Sequence, residues 1–220
     1  MHEHEHAHEP HDAIQEREEL TYYEKLTWAL QGLLVEKGII AADEVRRGIE
    51  DMDSRTPAAG GKVVARAWVD PAFKARLLAD AKSAVAELGI DAGSLNILVA
   101  LENTEKVHNV VVCTLCSCYP RPLLGYPPDW YKSLNYRSRV VVDPRGVLKE
   151  FGLELDPNVE VQVYDSTADI RYLVIPTRPP GTAHMREDEL ATLVTRDSMI
   201  GVAKARLPEI PQAAQAVASR

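Results

Sequence analysis

Three cysteines, Cys113, Cys116 and Cys118, fall within six consecutive residues, and no other cysteine occurs in the 220-residue chain. No feature constrains the fold more, because three thiols gathered by sequence must be housed at one point. An odd count, with no secretory signal in view, argues against a disulfide framework and for a metal or redox site. The spacing limits the geometry. If the sulfurs of Cys116 and Cys118 reach one metal, the amide nitrogens of Ser117 and Cys118 are drawn to it as well. The Cys118 sulfur and its own nitrogen close a five-membered ring, the nitrogens of Cys118 and Ser117 another, and the Ser117 nitrogen with the Cys116 sulfur a six-membered one. The result is a planar S-N-N-S set, with Cys113 as a fifth ligand below it and a sixth position open. A peptide nitrogen must lose its proton to bind. Zinc prefers tetrahedral thiolate and imidazole sites and would not strip two amides, whereas a trivalent low-spin cobalt or iron ion would. On spacing alone two other readings stay open: a three-cysteine zinc site completed by a histidine such as His108, and buried or redox-exchanging thiols.

The residues around the cluster indicate how it is reached. Residues 1–12, MHEHEHAHEPHD, hold five of the seven histidines and are too polar to pack. They are expected to be a disordered tail, either a passive metal scavenger or appended tag, or a metal-loading arm. Apolar residues at three- and four-residue steps from Leu20 to Leu34 predict a helix over 12–40, with Gly38 as its stop; Val45, Ile49 and Met52 predict a second over 41–54. Thr56 to Gly61, TPAAGG, reads as a breaker. Residues 63–69 lead into a helix with Asp70 as N-cap, Pro71 in its first turn and Gly89 as its end. The period then changes, and 95–101 and 107–112 read as buried strands, the second running straight into Cys113. Four prolines in 119–128 exclude regular structure there. A short helix follows from Asp143 to Gly152; 159–164 alternates as a half-buried strand, 171–175 is its expected antiparallel neighbour, and 187–194 a closing helix. Helices first, then strands mixed with short helices, indicate an α+β fold.

Composition enters as an exclusion. A formal charge of −8 leaves little to neutralise phosphates, so nucleic acid is not an expected partner. No apolar run approaches the ~20 residues of a membrane span, and no membrane is expected. The polar N-terminal stretch has no apolar h-region, so the expected compartment is the cytoplasm.

Cys113-Thr114-Leu115-Cys116-Ser117-Cys118, preceded by Val-Val and followed by Tyr-Pro, resembles the metal-binding motif of the nitrile hydratase α-subunit family. The likeness extends to 107–112, 124–131 (LGYPPDWY), 136–141 (YRSRVV) and 190–202 (LATLVTRDSMIGV), covering roughly residues 14–203. It implies a helical N-terminal arm plus a four-layered α-β-β-α globular domain. The organisation expected is a tail at 1–12, an arm at 13–61 contacting the partner subunit, a metal-binding catalytic domain at 62–208 and a flexible C-terminal tail at 209–220. Thr114 is the residue of the cobalt-type enzymes, so the resemblance implies one non-corrin cobalt(III) per chain, with iron(III) the lesser alternative. Cys113, Cys116, Ser117 and Cys118 are then the metal ligands, Cys116 oxidised to a sulfinate and Cys118 to a sulfenate, and Cys116 and Cys118 the catalytic pair. The implied activity is hydration of a small-molecule nitrile to an amide. The implied partners are a β subunit, in a heterodimer or heterotetramer, and a metal-loading activator protein. Arg121 and Tyr126 depart from the tryptophan and leucine common in relatives, which bears on pocket shape.

A trivalent ion with three anionic sulfurs and two amidates is negative overall and needs cations beside it. None lies within the motif. Arg121, Arg137, Arg139 and Arg171 are the candidate second-shell or interface cations, each with a plain surface role as its alternative. His108 on a buried strand reads as a structural residue rather than a base. The sequence leaves two rival functions: the metal-carrying subunit of thiocyanate hydrolase, and a non-enzymatic metal-storage or metallochaperone protein.

Overall fold

The computed structural model describes residues 20–93, 95–115 and 118–207. The histidine-rich segment, Cys116, Ser117 and the C-terminal tail lie outside the described residues. The chain divides into two units between Glu50 and Asp51.

The first unit holds α1 (Tyr22–Glu36) and most of α2 (Ala42–Ser54). α1 opens with a capping box: the Glu24 amide donates to Thr21 Oγ1 at 3.3 Å and the Thr21 amide to the Glu24 carboxylate at 2.6 Å. No residue of α1 is buried, although Tyr22, Leu26, Leu30 and Leu33 line one side of it and Trp28 stands off that stripe.

The second unit begins with α3 (Ala58–Val69), α4 (Pro71–Ala79) and α5 (Ala81–Glu87). Two helical expectations change here. The TPAAGG segment does not break the chain; Gly60 and Gly61 are buried inside the first turn of α3. A Cβ on Gly60 would lie 2.6 Å from Met199 Sδ and 3.0 Å from the Leu123 carbonyl oxygen, and one on Gly61 3.0 Å from the Ala191 carbonyl oxygen. Close packing, not turn formation, is what these glycines serve, and it outweighs their poor helix propensity. The helix after Asp70 is also two helices. Asp70 caps α4 by accepting from the Phe73 amide at 2.9 Å, but Asp80 leaves the helical region and caps α5, accepting from the Ser83 amide at 3.1 Å.

Four strands follow, β1 (Ile97–Glu102), β2 (Val107–Val112), β3 (Glu160–Asp165) and β4 (Ile170–Ile175). The expected antiparallel pairing of the last two is not formed. β1 pairs with β4 and β2 with β3, both parallel, as two two-stranded sheets. The short links between β1 and β2 and between β3 and β4 cross from one sheet to the other, so sequence neighbours are not ladder neighbours. α3, α4 and α5 lie on the β1–β4 sheet, β2 packs against β4, and α9 (Pro144–Glu150) covers β3. That is the helix–sheet–sheet–helix order of the expected α+β architecture. Between β2 and α9, α6 (Arg121–Leu124), α7 (Asp129–Lys132) and α8 (Leu134–Arg139) carry the chain on from the cysteine segment. α6 is one helical turn inside the proline-rich stretch, possible because Pro122 sits in its first turn, where no amide donor is needed. α10 (Glu187–Ala191) and α11 (Arg196–Ile200) close the unit; α10 packs on α3, and α11 on β2 and β4.

Candidate metal centre

β2 is buried at its last five residues and delivers Cys113, itself fully buried, to the end of the sheet. The register pairs Val112 with Asp165, so β2 and β3 end together beneath the cysteine segment. The segment leaves the core at once: Leu115 is 86% exposed, and the chain is buried again at Cys118, 9% exposed. Between these points lie Cys116 and Ser117, outside the described residues. Among the described residues no three His, Cys, Asp or Glu side chains form a group that could hold a metal.

Both described ends of the loop are clamped. Asp165 takes the Thr114 amide on one carboxylate oxygen at 2.9 Å and the Thr114 hydroxyl on the other at 2.5 Å. The Tyr131 hydroxyl donates to the Cys118 carbonyl at 2.9 Å, and the Tyr136 hydroxyl to the Val111 carbonyl at 2.7 Å. These tyrosines belong to an aromatic cluster formed by α7, α8 and their surroundings. Tyr119 meets Tyr131 edge to face at 5.2 Å, and Trp130 meets Tyr136 at 4.9 Å and Phe151 at 4.7 Å. Burial raises the pKa of Tyr119, Tyr131 and Tyr136 far above the ordinary tyrosine value, so all three stay protonated. Asp165, Tyr131 and Tyr136 did not stand out in the sequence. The Thr114–Asp165 contact spans 51 residues, and no local pattern announces it.

The expected cations have different surroundings. Arg137 Nη1 reaches the Thr114 carbonyl at 3.4 Å, beside the loop. Arg139 is half exposed and bound in a two-pronged pair with Glu150, which raises the arginine's pKa and lowers that of the carboxylate. Arg171 holds the carbonyls of its own turn, Thr167, Ala168 and Ile170, while its Nε is buried with no partner among the described residues. Arg121 starts α6 and is exposed. Of the four, Arg137 alone bonds to a described residue of the loop.

His108 is not available to complete a zinc site. Its Nε2 is 2.7 Å from the Gly201 carbonyl oxygen, and its Nδ1 is 3.2 Å from Asn103 Nδ2. Asn103 is oriented by Asn109, whose amide and side-chain nitrogens both donate to Asn103 Oδ1. The Asn103 side chain must therefore present its NH2 to His108, which makes Nδ1 an acceptor and Nε2 a donor. Both nitrogens are occupied in a structural network.

The donor chemistry fits a metal held by soft ligands. Two cysteines are withdrawn from water at one sheet end, and the backbone on either side of the loop is held by a carboxylate and a phenol.

Residues 21–203 match the family model described as nitrile hydratase, alpha chain. The chain is 53% identical over 181 residues to the low-molecular weight cobalt-containing nitrile hydratase subunit alpha of Rhodococcus rhodochrous, covering 82% of this chain and 87% of that one. It is 52% identical over 180 residues to the cobalt-containing subunit alpha of Pseudonocardia thermophila, covering 81% and 88%. To the gamma subunit of Thiobacillus thioparus thiocyanate hydrolase the identity is 41% over 198 residues, covering 84% and 81%. Among solved structures, a double mutant of the Fe-type nitrile hydratase of Comamonas testosteroni Ni1 superposes with a TM-score of 0.80 at 42% identity, covering 86% of this chain and 94% of that one. A recombinant thiocyanate hydrolase with partially modified cobalt centres gives 0.82 at 40% identity, covering 87% and 93%. With the matched region spanning both the helical first unit and the cysteine segment at the end of β2, this chain belongs to the nitrile hydratase alpha chain family.

Proposed function

We propose that this chain is the metal-carrying subunit of a nitrile hydratase and adds water to nitriles, giving amides, together with a β subunit in a heterodimer or heterotetramer. The observation that carries the reading is that Cys113 and Cys118 are both buried at the end of β2, with Thr114 held by Asp165 and Cys118 by Tyr131. Cys113, Cys116 and Cys118 would supply sulfur to the metal, and Ser117 and Cys118 backbone nitrogen. Thr114 and the cobalt-containing relatives support cobalt(III), one per chain, although an iron-type structure shares the fold. A trivalent ion held there would supply Lewis acidity toward the nitrile and would lower the pKa of water.

The remaining roles belong to the chain. Burial of Cys113 and Cys118 keeps competing water from the ligands, and Asp165 and Tyr131 hold the loop before substrate arrives. Oxidised to a sulfenate, Cys118 offers an oxygen that takes the proton of the attacking water, while Cys116 is carried as the sulfinate. That proton returns to the nitrile nitrogen to give the imidic acid, and transfer of its hydroxyl proton to the same nitrogen gives the amide, with no net change at the protein. Arg137 supplies positive charge beside the loop. Arg139 is committed to Glu150 and Arg121 faces solvent, so the rest of the compensating charge is assigned to the β subunit. A metal-loading activator protein is part of the same reading, as a route for an exchange-inert ion into a buried site.

The thiocyanate hydrolase relative supports a second reading, in which the same centre hydrolyses thiocyanate. The test is the co-expressed αβ complex grown with cobalt, assayed on nitriles and on thiocyanate, with elemental analysis and intact mass. One cobalt per chain, about 48 Da added as three oxygens, and amide formation are expected. Turnover of thiocyanate without nitriles would establish the second reading. Metal that exchanges freely, with no turnover of either, would point to storage or transfer and overturn both.

A further inference from the structure

We propose that residues 208–220, which lie outside the described residues, form a short amphipathic helix that seats Ile210 and Val217 in a groove of this chain's own second unit. The inference does not rest on the reading of the cysteine segment. The groove, of about 550 Å³, runs between the end of α9 and the start of α11. Phe151 and Leu193 give it apolar wall, Asp197 an acid, and Lys204 and Arg206 two bases. Phe151 keeps 36% of its surface exposed. Asp197, Lys204 and Arg206 make no ion pair or side-chain hydrogen bond among the described residues.

The occupant follows from where the chain goes and how the segment is patterned. Lys204 and Arg206 line the groove and Leu207 is 47% exposed, so residues 208–220 set out from the groove's own rim. Ile210, Ala213, Ala214 and Val217 recur at i, i+3, i+4 and i+7 and would share one helix face, with Gln212, Gln215 and Ser219 on the opposite one. Pro211 suits a first helical turn, and the alanines and glutamines after it are good helix formers. A helix of this length is marginal in water by itself, so the apolar face needs a surface to lie on. Ile210 and Val217 would stand about 10 Å apart along the axis, with only alanines between them to let the backbone come close. The segment brings one acid, Glu209, and one base, Arg220, to a groove carrying two bases and one acid. A second copy could offer the same face, but only at its bulk concentration. Leu207 to Glu209 tether the segment beside the groove, where its effective concentration is far higher.

The test is amide hydrogen exchange on the co-expressed αβ complex, read by mass spectrometry in peptides spanning 149–153 and 192–197. Four forms are compared: the full chain, a chain lacking residues 208–220, Ile210→Asp with Val217→Asp, and Gln212→Asp with Gln215→Asp. Deletion and the Ile210/Val217 pair should each speed exchange in both peptides roughly tenfold and lower Tm by a few degrees. The Gln212/Gln215 pair adds the same charge to the opposite face and should match the full chain. Exchange in the full chain should not change over a tenfold dilution. Unchanged exchange after deletion would overturn the proposal, whether the groove stands open or the β subunit covers it. Equal effects of the two aspartate pairs would overturn the assignment of the seated face. Protection lost on dilution of the full chain would place the segment on a second copy and overturn the seat within one chain. Should the deleted chain fail to assemble, the two aspartate pairs carry the test.

Discussion

Asp165 and His108 lie on neighbouring strands and do opposite kinds of work. Asp165 uses both carboxylate oxygens on Thr114, the first residue of the loop after Cys113. Removing the carboxylate should free the start of the loop without touching a sulfur. Asp165→Ala in the αβ complex is expected to cost only about 1–2 kcal/mol of unfolding free energy, because the pair is exposed to water. Metal content should nevertheless fall several-fold, as elemental analysis would read it. His108 is a matter of stability. Burial, and secondarily the charge of Lys204, lowers its pKa below 6.5, against the raising effect of its bond to Gly201. Well above pH 6.5 the ring is neutral folded and unfolded, and its contribution is complete. As pH falls below that value the unfolded chain takes a proton that the folded chain refuses, so stability drops until the folded pKa is passed. The urea midpoint should therefore decline as pH falls below about 7. His108→Gln should be less stable at neutral pH and show a shallower decline.

At the scale of elements, the end of α11 shows how one glycine can join a helix to a strand. Gly201 has φ of +94°, and a Cβ there would sit 2.0 Å from the Asn109 carbonyl oxygen. Its own carbonyl receives His108 Nε2. Gly201→Ala meets a backbone strain and a backbone clash together, and neither can be relieved by moving a side chain. A loss of roughly 2–6 kcal/mol is expected in denaturant unfolding. Gly60 is the milder case. The atom nearest its missing Cβ is the sulfur of Met199, which can give way, although Leu123 and Leu124 close in at 3.0 Å.

At the scale of the whole molecule, α1 poses a question that the chain does not answer alone. Tyr22 and Tyr23 are more than 70% exposed, and Leu26, Leu30 and Leu33 at least half exposed. An apolar helix of this kind calls for a partner, and the β subunit is the partner proposed above. Leu26→Asp together with Leu30→Asp should weaken the αβ complex at least about tenfold, read by light scattering coupled to size exclusion across a dilution series. The chain expressed without its partner should self-associate and carry little cobalt. A monodisperse monomer turning over nitriles would contradict both the partner and the assignment of compensating charge to it.

What the sequence determined by itself is what depends on neighbours along the chain. The chelate geometry proposed for Cys116, Ser117 and Cys118 rests on their one-residue spacing alone. The capping of α4 by Asp70 and of α9 by Asp143 follows from side chains reaching amides three residues on. The exit of β2 into Cys113 follows from the β-branched run Val110–Val112, which leads straight into the cysteine. The tertiary structure decided whatever joins distant segments. Parallel pairing of β3 with β2, rather than with its sequence neighbour β4, depends on which sheet each strand can bury against. The helical state of Gly60 and Gly61 depends on Met199, Leu123 and Ala191 being there to exclude a side chain. The clamps on the loop, Asp165 on Thr114 and Tyr131 on Cys118, come from residues 51 and 13 positions away. Such contacts leave no periodic trace, because a hydrogen bond between remote residues depends on where the fold brings them and not on the spacing between them.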